Sequence, residues 1–274
     1  MPSTYAHYRF GQQVLSKLPE NIQETIHKEC ELYNIGLHGP DLLFYYHPLS
    51  SNPVNSMGYG MHEEPGIKFF RSAAKKIARY KFPHAHLAYI YGFICHFALD
   101  MECHGYIDEK IAESSISHAE IEVEFDRRLM IHDGLNPITQ VLTNHIRPGK
   151  RSARVISELF DGISSDCIYH AMKSYVFYNN LLLAPNPTKR ELIYAILRLS
   201  GNYSEMHGLI VNYKANPKCR DSNKALALKY CSAAKKAVQL ICQFDENMRG
   251  KKQWDDLYNY TFSSKYIPRQ IREE

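Results

Sequence analysis

The residues best suited to chemistry lie in one run, Tyr91-Gly92-Phe93-Ile94-Cys95-His96-Phe97-Ala98-Leu99-Asp100-Met101-Glu102-Cys103-His104. On an α-helix, side chains four positions apart share a face and are separated by a rise of about 6 Å. His96 and Asp100 can therefore close on one divalent metal ion, and His104 continues the same face. The rise from His96 to His104 is about 12 Å, too long for a single ion unless the helix ends or bends. A continuous helix would hold two neighbouring ions, with Asp100 between them and able to bridge. The competing reading is three polar side chains satisfied by hydrogen bonds within an apolar helix. A second pair at the same spacing, His118 and Glu122 in His118-Ala119-Glu120-Ile121-Glu122, borders an apolar face carrying Ile121 and Phe125. Alone it equally suits a solvated helix pair. Beside His-x-x-x-Asp-x-x-x-His, the mixture of imidazole nitrogen and carboxylate oxygen suits zinc.

Three further candidates lie upstream. Asp41, in Gly39-Pro40-Asp41-Leu42-Leu43-Phe44-Tyr45, falls at a helix start, where the helix dipole alone favours a carboxylate. His62, in Met61-His62-Glu63-Glu64, reads alone as a surface histidine at a loop end, and His7, in Thr4-Tyr5-Ala6-His7, is ambiguous by itself.

Taken in order, His7, the Gly-Pro-Asp-Leu-Leu-Phe-Tyr run with Asp41, His62, Gly-Phe-Ile-Cys-His-Phe-Ala-Leu-Asp with His96 and Asp100, His104, and His118-x-x-x-Glu122 resemble the zinc-dependent phospholipase C family. The resemblance covers roughly the first half of the chain. It implies an all-α fold with a zinc cluster at the bottom of a cleft, an arrangement similar to that of single-strand-specific zinc nucleases. It further implies that Asp41, His62, His96 and Asp100 hold one ion, and that Asp100 is shared with a second ion that also takes His7. His104, His118 and Glu122 would hold the third. The implied reaction is hydrolysis of a phosphodiester by metal-activated water, with Asp41 orienting or deprotonating that water. Secreted members add an N-terminal Trp as a ligand, which this chain lacks, so the expectation is two or three zinc ions per chain. The segment between Asp100 and His104 is also shorter than in those enzymes, and no C-terminal β-sandwich is legible after residue 250.

The elements that must position these residues read as helices. Apolar residues recur at helical spacing through most of the sequence, and strand alternation is scarce. The class is all-α, a single multi-helix domain over residues 1–250, followed by a charged, Tyr-rich tail over 251–274 that packs only at 254–257. Pro19 opens a helix through Ile22, Ile26, Cys30 and Tyr33, and Gly36 stops it. A second helix begins near Pro40 and Asp41. Residues 48–60, rich in Pro, Ser, Asn and Gly, read as a loop. Helical patterns follow at 66–80, 84–104, 115–132, 152–160, 164–183, 188–200 and 222–247. His84 and His86 read as a solvent-facing helix entrance, and His170 and His207 as structural. Tyr45, Tyr46 and Tyr59 either line a substrate entrance, where aromatic faces receive a quaternary ammonium, or pack at the surface. Cys95 and Cys103 read as buried thiols turned away from the metal face.

Composition excludes other classes. With 274 residues, 45% hydrophobic and 23% charged, the chain is neither disordered nor low-complexity. A net charge of +4 from 33 basic and 29 acidic residues forms no nucleic-acid stripe. Seven Cys without a C-x-x-C pair suggest reduced thiols, and the first ten residues show no apolar signal segment, so a cytoplasmic protein is expected. The uncharged stretch 82–99 contains three His and a Pro and runs into Asp100, so it reads as a buried helix rather than a transmembrane segment. No Gly-rich phosphate loop or Ser nucleophile elbow is present. The expected substrate is a small phosphodiester or phospholipid head group. The alternatives are a nuclease or nucleotide phosphohydrolase on the same fold, or a non-catalytic helical protein fastened by metal.

Overall fold

The computed structural model describes residues 4–114, 116–251 and 253–268. Among them the chain forms α1 (Thr4–Leu15), α2 (Glu20–Lys28), α3 (Cys30–Gly36), α4 (Pro53–Glu63), α5 (Gly66–Ile77), α6 (His84–Glu113), α7 (His118–His132), α8 (Lys150–Ser157), α9 (Ser165–Leu182), α10 (Pro187–Leu199), α11 (Tyr203–Met206) and α12 (Arg220–Met248). A 3-10 helix spans Gly39–Tyr45 and another Asp256–Asn259. The described residues contain no strand beyond two isolated bridges, Pro65 with Thr261 and Tyr260 with Tyr266. The fold is all-α.

The axis of the molecule is α6, in which every residue from 86 to 101 is buried. A helix that is apolar all round must be surrounded. Here α3 and α12 flank it most extensively, and α1, α2, α5, α7 and α8 complete the enclosure. Two glycines set how closely α3 approaches. A Cβ on Gly36 would lie 2.2 Å from the Tyr89 carbonyl oxygen, and one on Gly92 would lie 2.2 Å from that of Tyr33. The two backbones therefore touch, and the 3-10 helix that follows α3 is delivered directly onto the ligand face of α6. Aromatic rings pack around α6 as well, with Phe70, Phe93, Phe97, Tyr258 and Phe262 each fully buried and stabilising the core by roughly 2 kcal/mol per ring.

Several elements differ from the expectation. The helix opened by Pro19 is broken at Glu29, whose φ of −129° leaves the α region, so α2 and α3 are separate. The residues expected as a loop at 48–60 instead contain the start of α4. Asn52 accepts from the backbone N–H groups of Val54 and Asn55, the Asn55 side chain accepts from Asn52 N–H, and Pro53 takes the first helical position. Pro, Asn and Ser serve helix starts as well as turns, and composition alone does not separate the two. His86 is buried rather than solvent-facing, with Nε2 2.7 Å from Glu158 Oε2 and its ring stacked on Tyr80. The C-terminal segment packs well past residue 257, since Tyr258, Asn259, Thr261 and Phe262 are all buried. Residues 269–274 of the expected tail lie outside the described residues. No helix among the described residues is long and apolar enough to cross a membrane.

Candidate metal centre

Four elements converge on the middle of α6. It presents His96, Asp100 and His104; α1 brings His7, the 3-10 helix brings Asp41, the last turn of α4 brings His62, and α7 brings His118 and Glu122. All eight expected ligands are thereby gathered. Three triads have ligand atoms within 4.8 Å of one another and could each hold an ion: His7 with His96 and Asp100, Asp41 with His62 and His96, and His104 with His118 and Glu122.

Asp100 lies between the triads and faces both ways. Its Oδ2 is 3.0 Å from His96 Nε2 and 3.8 Å from His62 Nε2, while Oδ1 is 3.3 Å from His7 Nε2 and 3.7 Å from His104 Nε2. Asp41 Oδ1 lies 3.1 Å from His62 Nε2 and 3.7 Å from His96 Nε2. Glu122 Oε1 lies 3.1 Å from His118 Nε2 and 3.5 Å from His104 Nε2. Two ligands on a tetrahedral zinc are about 3.3 Å apart, given zinc bonds of about 2.0–2.1 Å, so these spacings match a shared ion. One atom from each of the eight residues is also buried without a hydrogen-bond partner. Buried polar atoms are normally satisfied; the orphans on Asp41 Oδ1, Asp100 Oδ2 and the Nε2 atoms of His62, His96, His104 and His118 are the same atoms that face one another across the triads, which fits a cation as their missing partner.

Local structure fixes the imidazoles. His62 Nδ1 is 2.9 Å from the Gly58 carbonyl oxygen and His96 Nδ1 is 3.3 Å from that of Leu37. A carbonyl only accepts, so each Nδ1 carries the proton and each Nε2 keeps a free lone pair for metal. Gly39, at φ +47°, makes room for His96, because a Cβ there would stand 2.3 Å from the ring. Burial penalises the charged forms of Asp41, Asp100, His104 and Glu122, yet their opposite charges prevail. His96 and His62 hold Asp41 below the usual carboxylate range, and His96 with His104 hold Asp100 well below it. His118 and His104 likewise depress Glu122. Against its own burial penalty, His104 is pushed up to about 9 by Asp100 and Glu122.

Residues beyond the sequence reading support the ligands. Asp126, one helical turn past Glu122, accepts from the backbone N–H of Tyr5 at 3.0 Å and of Ala6 at 2.8 Å, and so anchors the first turn of α1 beside His7. Burial raises its carboxyl to about 7 against those two bonds. Behind the centre, His38 Nε2 meets His145 Nε2 at 2.7 Å, and His38 Nδ1 meets the Tyr175 hydroxyl at 2.9 Å. That hydroxyl is also 2.9 Å from Thr4 Oγ1, which donates to Asn179. Thr4 has one proton and gives it to Asn179, so Tyr175 donates to Thr4, His38 Nδ1–H donates to Tyr175, and His145 donates to His38. This support is assembled by the fold, through bonds between residues more than 100 positions apart in sequence.

His7, Asp100, His104 and Glu122 line a cavity together with Cys103. Cys103 was expected to turn away, but three positions on from Asp100 is nearly a full helical turn, which returns it to the same side. Cys95 is buried against the Tyr33 hydroxyl at 3.4 Å. A separate cleft is lined by Tyr45, Asp126 and Asn179 and by apolar side chains such as Ile138, Leu183 and Ile210. Tyr59 is 60% exposed and stacks on Phe44, which in turn borders His62. Tyr46 and His170 meet edge to face at the surface, and His207 stacks on Tyr203, both away from the centre.

The model of the zinc-dependent phospholipase C family matches residues 6–178, a span that contains all eight ligands. No curated protein and no solved structure matches the chain. With the family match over more than half of its length and three triads competent for metal, the chain belongs to the zinc-dependent phospholipase C family and is a metal-dependent phosphodiester hydrolase of all-α fold.

Proposed function

We propose that His7, Asp41, His62, His96, Asp100, His104, His118 and Glu122 hold two or three zinc ions and that the substrate is a small phosphodiester or a phospholipid head group. The observation that carries this reading is the gathering of these eight residues into three triads, six of them with a buried, unpartnered atom turned toward its neighbours. Bound zinc would supply an acidified water and positive charge for the phosphoryl oxygens and the leaving alkoxide. The chain supplies the rest. Asp41 commits Oδ1 to the ligand set, which leaves Oδ2 to orient the attacking water and take its proton. Asp100 holds neighbouring ligand groups in register by offering a different oxygen to each. Tyr59, exposed above Phe44, offers an aromatic face at the entrance to a cationic head group. The seven cysteines are all unpaired, which supports a reducing, cytoplasmic setting.

Elemental analysis of protein purified without chelators, paired with turnover of an artificial phosphodiester, tests the reading. Two or three zinc ions and activity that disappears in Asp100→Ala are expected. Less than one equivalent of metal would overturn it. Parallel assays on phosphatidylcholine and single-stranded DNA then identify the substrate, with the phospholipid expected to be cleaved faster.

A further inference from the structure

The turn at 261–265 lies beyond the span that the family model matches, yet it reaches the ligands directly. Phe262 is fully buried, with its ring 5.2 Å from that of His62 and 5.9 Å from that of His96. Ser263 donates from both N–H and Oγ to the His62 carbonyl oxygen, at 3.4 and 3.3 Å. Ser264 instead bonds the backbone of α6. Its Oγ accepts from the Gly105 N–H at 2.8 Å and donates to the Met101 carbonyl oxygen at 2.7 Å.

Those two groups are the donor and acceptor that an uninterrupted α-helix pairs with each other, four residues apart. The hydroxyl of a distant residue thus bridges one rung of α6. Met101 immediately follows Asp100, and Gly105 immediately follows His104. The bridged rung is therefore the turn that separates these two ligands. Insertion of a side chain into the helical ladder is one of the few causes of a local bend, and the distance between Asp100 and His104 along α6 decides how their ions are spaced.

The turn is built to hold Ser264 there. Ser264 N–H donates to the Thr261 carbonyl, Thr261 N–H donates to that of Lys265 at 2.8 Å, and Lys265 N–H donates to Thr261 Oγ1 at 3.1 Å. Gly66 N–H bonds the Tyr260 carbonyl at 2.9 Å, and Lys265 Nζ pairs with Glu63 at 3.1 Å. Ser264 itself adopts φ +64°, an unfavourable backbone for a residue with a Cβ. On the helix side, Gly105 leaves just enough room, because a Cβ there would meet Ser264 Cβ at 3.2 Å.

We infer that Ser264 is a positioning residue of the metal centre, a wedge in α6 that sets the offset between Asp100 and His104 and so the separation of the ions they hold. The inference rests on the zinc-centre reading above, and its test separates the two. Cobalt(II) is titrated into metal-free wild type, Ser264→Gly and Gly105→Ala, read by visible absorption, with helicity followed by circular dichroism. Glycine removes the hydroxyl while accommodating the positive φ, so Ser264→Gly isolates the hydroxyl. Alanine at 105 pushes the wedge from the other side. Both variants should keep wild-type helicity, bind one of the cobalt ions about tenfold more weakly or worse, in line with losing a group that orients a ligand, and show a shifted cobalt spectrum. Wild-type affinity and an unchanged spectrum in both variants would overturn the inference. Should Ser264→Gly fail to fold, Gly105→Ala decides by the same two readings. Wild type that binds no cobalt would instead overturn the metal-centre reading itself.

Discussion

Asp100 shows how a single carboxylate can organise several imidazoles, because its two oxygens face different histidines. The charge balance around it has a consequence for metal uptake. His104 titrates at about 9 in the metal-free protein, so at pH 7.5 it carries a proton that zinc must displace. Zinc affinity should therefore rise with pH up to about 9, and calorimetry in two buffers of different ionisation heat should show protons released on binding. The sign for stability is the opposite. A histidine raised from 6.5 to about 9 contributes stability fully below 6.5 and loses it as pH climbs to about 9, so the metal-free protein should melt at progressively lower temperature over that window. At this scale the ligands themselves were legible, since spacing and order along the chain mark them. Asp126, His38, Tyr175 and Ser264 were not, because each makes its supporting bond to a partner 120 or more positions away in sequence, which no spacing rule records.

Among the elements, most helices from 66 onward fall where apolar periodicity puts them, because a buried face imposes its period on the sequence. The elements that escaped are those defined by their ends. Asn52 and Asn55 form a reciprocal cap on α4, and Asn52→Ala should lower stability by about 1 kcal/mol in urea unfolding, with metal content unchanged while the helix remains folded. The crossing of α3 on α6 should be less tolerant. Gly36→Ala places a Cβ 2.2 Å from the Tyr89 carbonyl oxygen, and backbone cannot rotate aside as a side chain does. A loss of about 3 kcal/mol is expected, again by urea unfolding. Because the 3-10 helix carrying Asp41 follows directly, the same variant should also bind metal more weakly.

For the whole molecule, the centre and the fold share one set of elements. The ligands come from α1, the 3-10 helix, α4, α6 and α7, so bound ions would tie five elements together. Chelation should lower the melting temperature by roughly 5–10 °C or more for each ion present at about 100 times its dissociation constant, as scanning calorimetry with and without zinc would show. The second half of the chain carries no legible chemical motif, yet it encloses the first: α12 runs along α6, and Asn212 and Asn216 bond Glu120 and Glu124 on the ligand helix α7. Such enclosure leaves only apolar periodicity in sequence, which reports that a helix packs but not against what. The position of the wedge also orders events during synthesis. Glu122 completes the ligand set, but Ser264 follows it by about 140 residues, which at roughly 5–20 residues per second is some 7–28 s of translation. The nascent chain therefore holds a finished ligand set with an unset spacing, and either zinc enters before the turn closes or the closed turn must open to admit it.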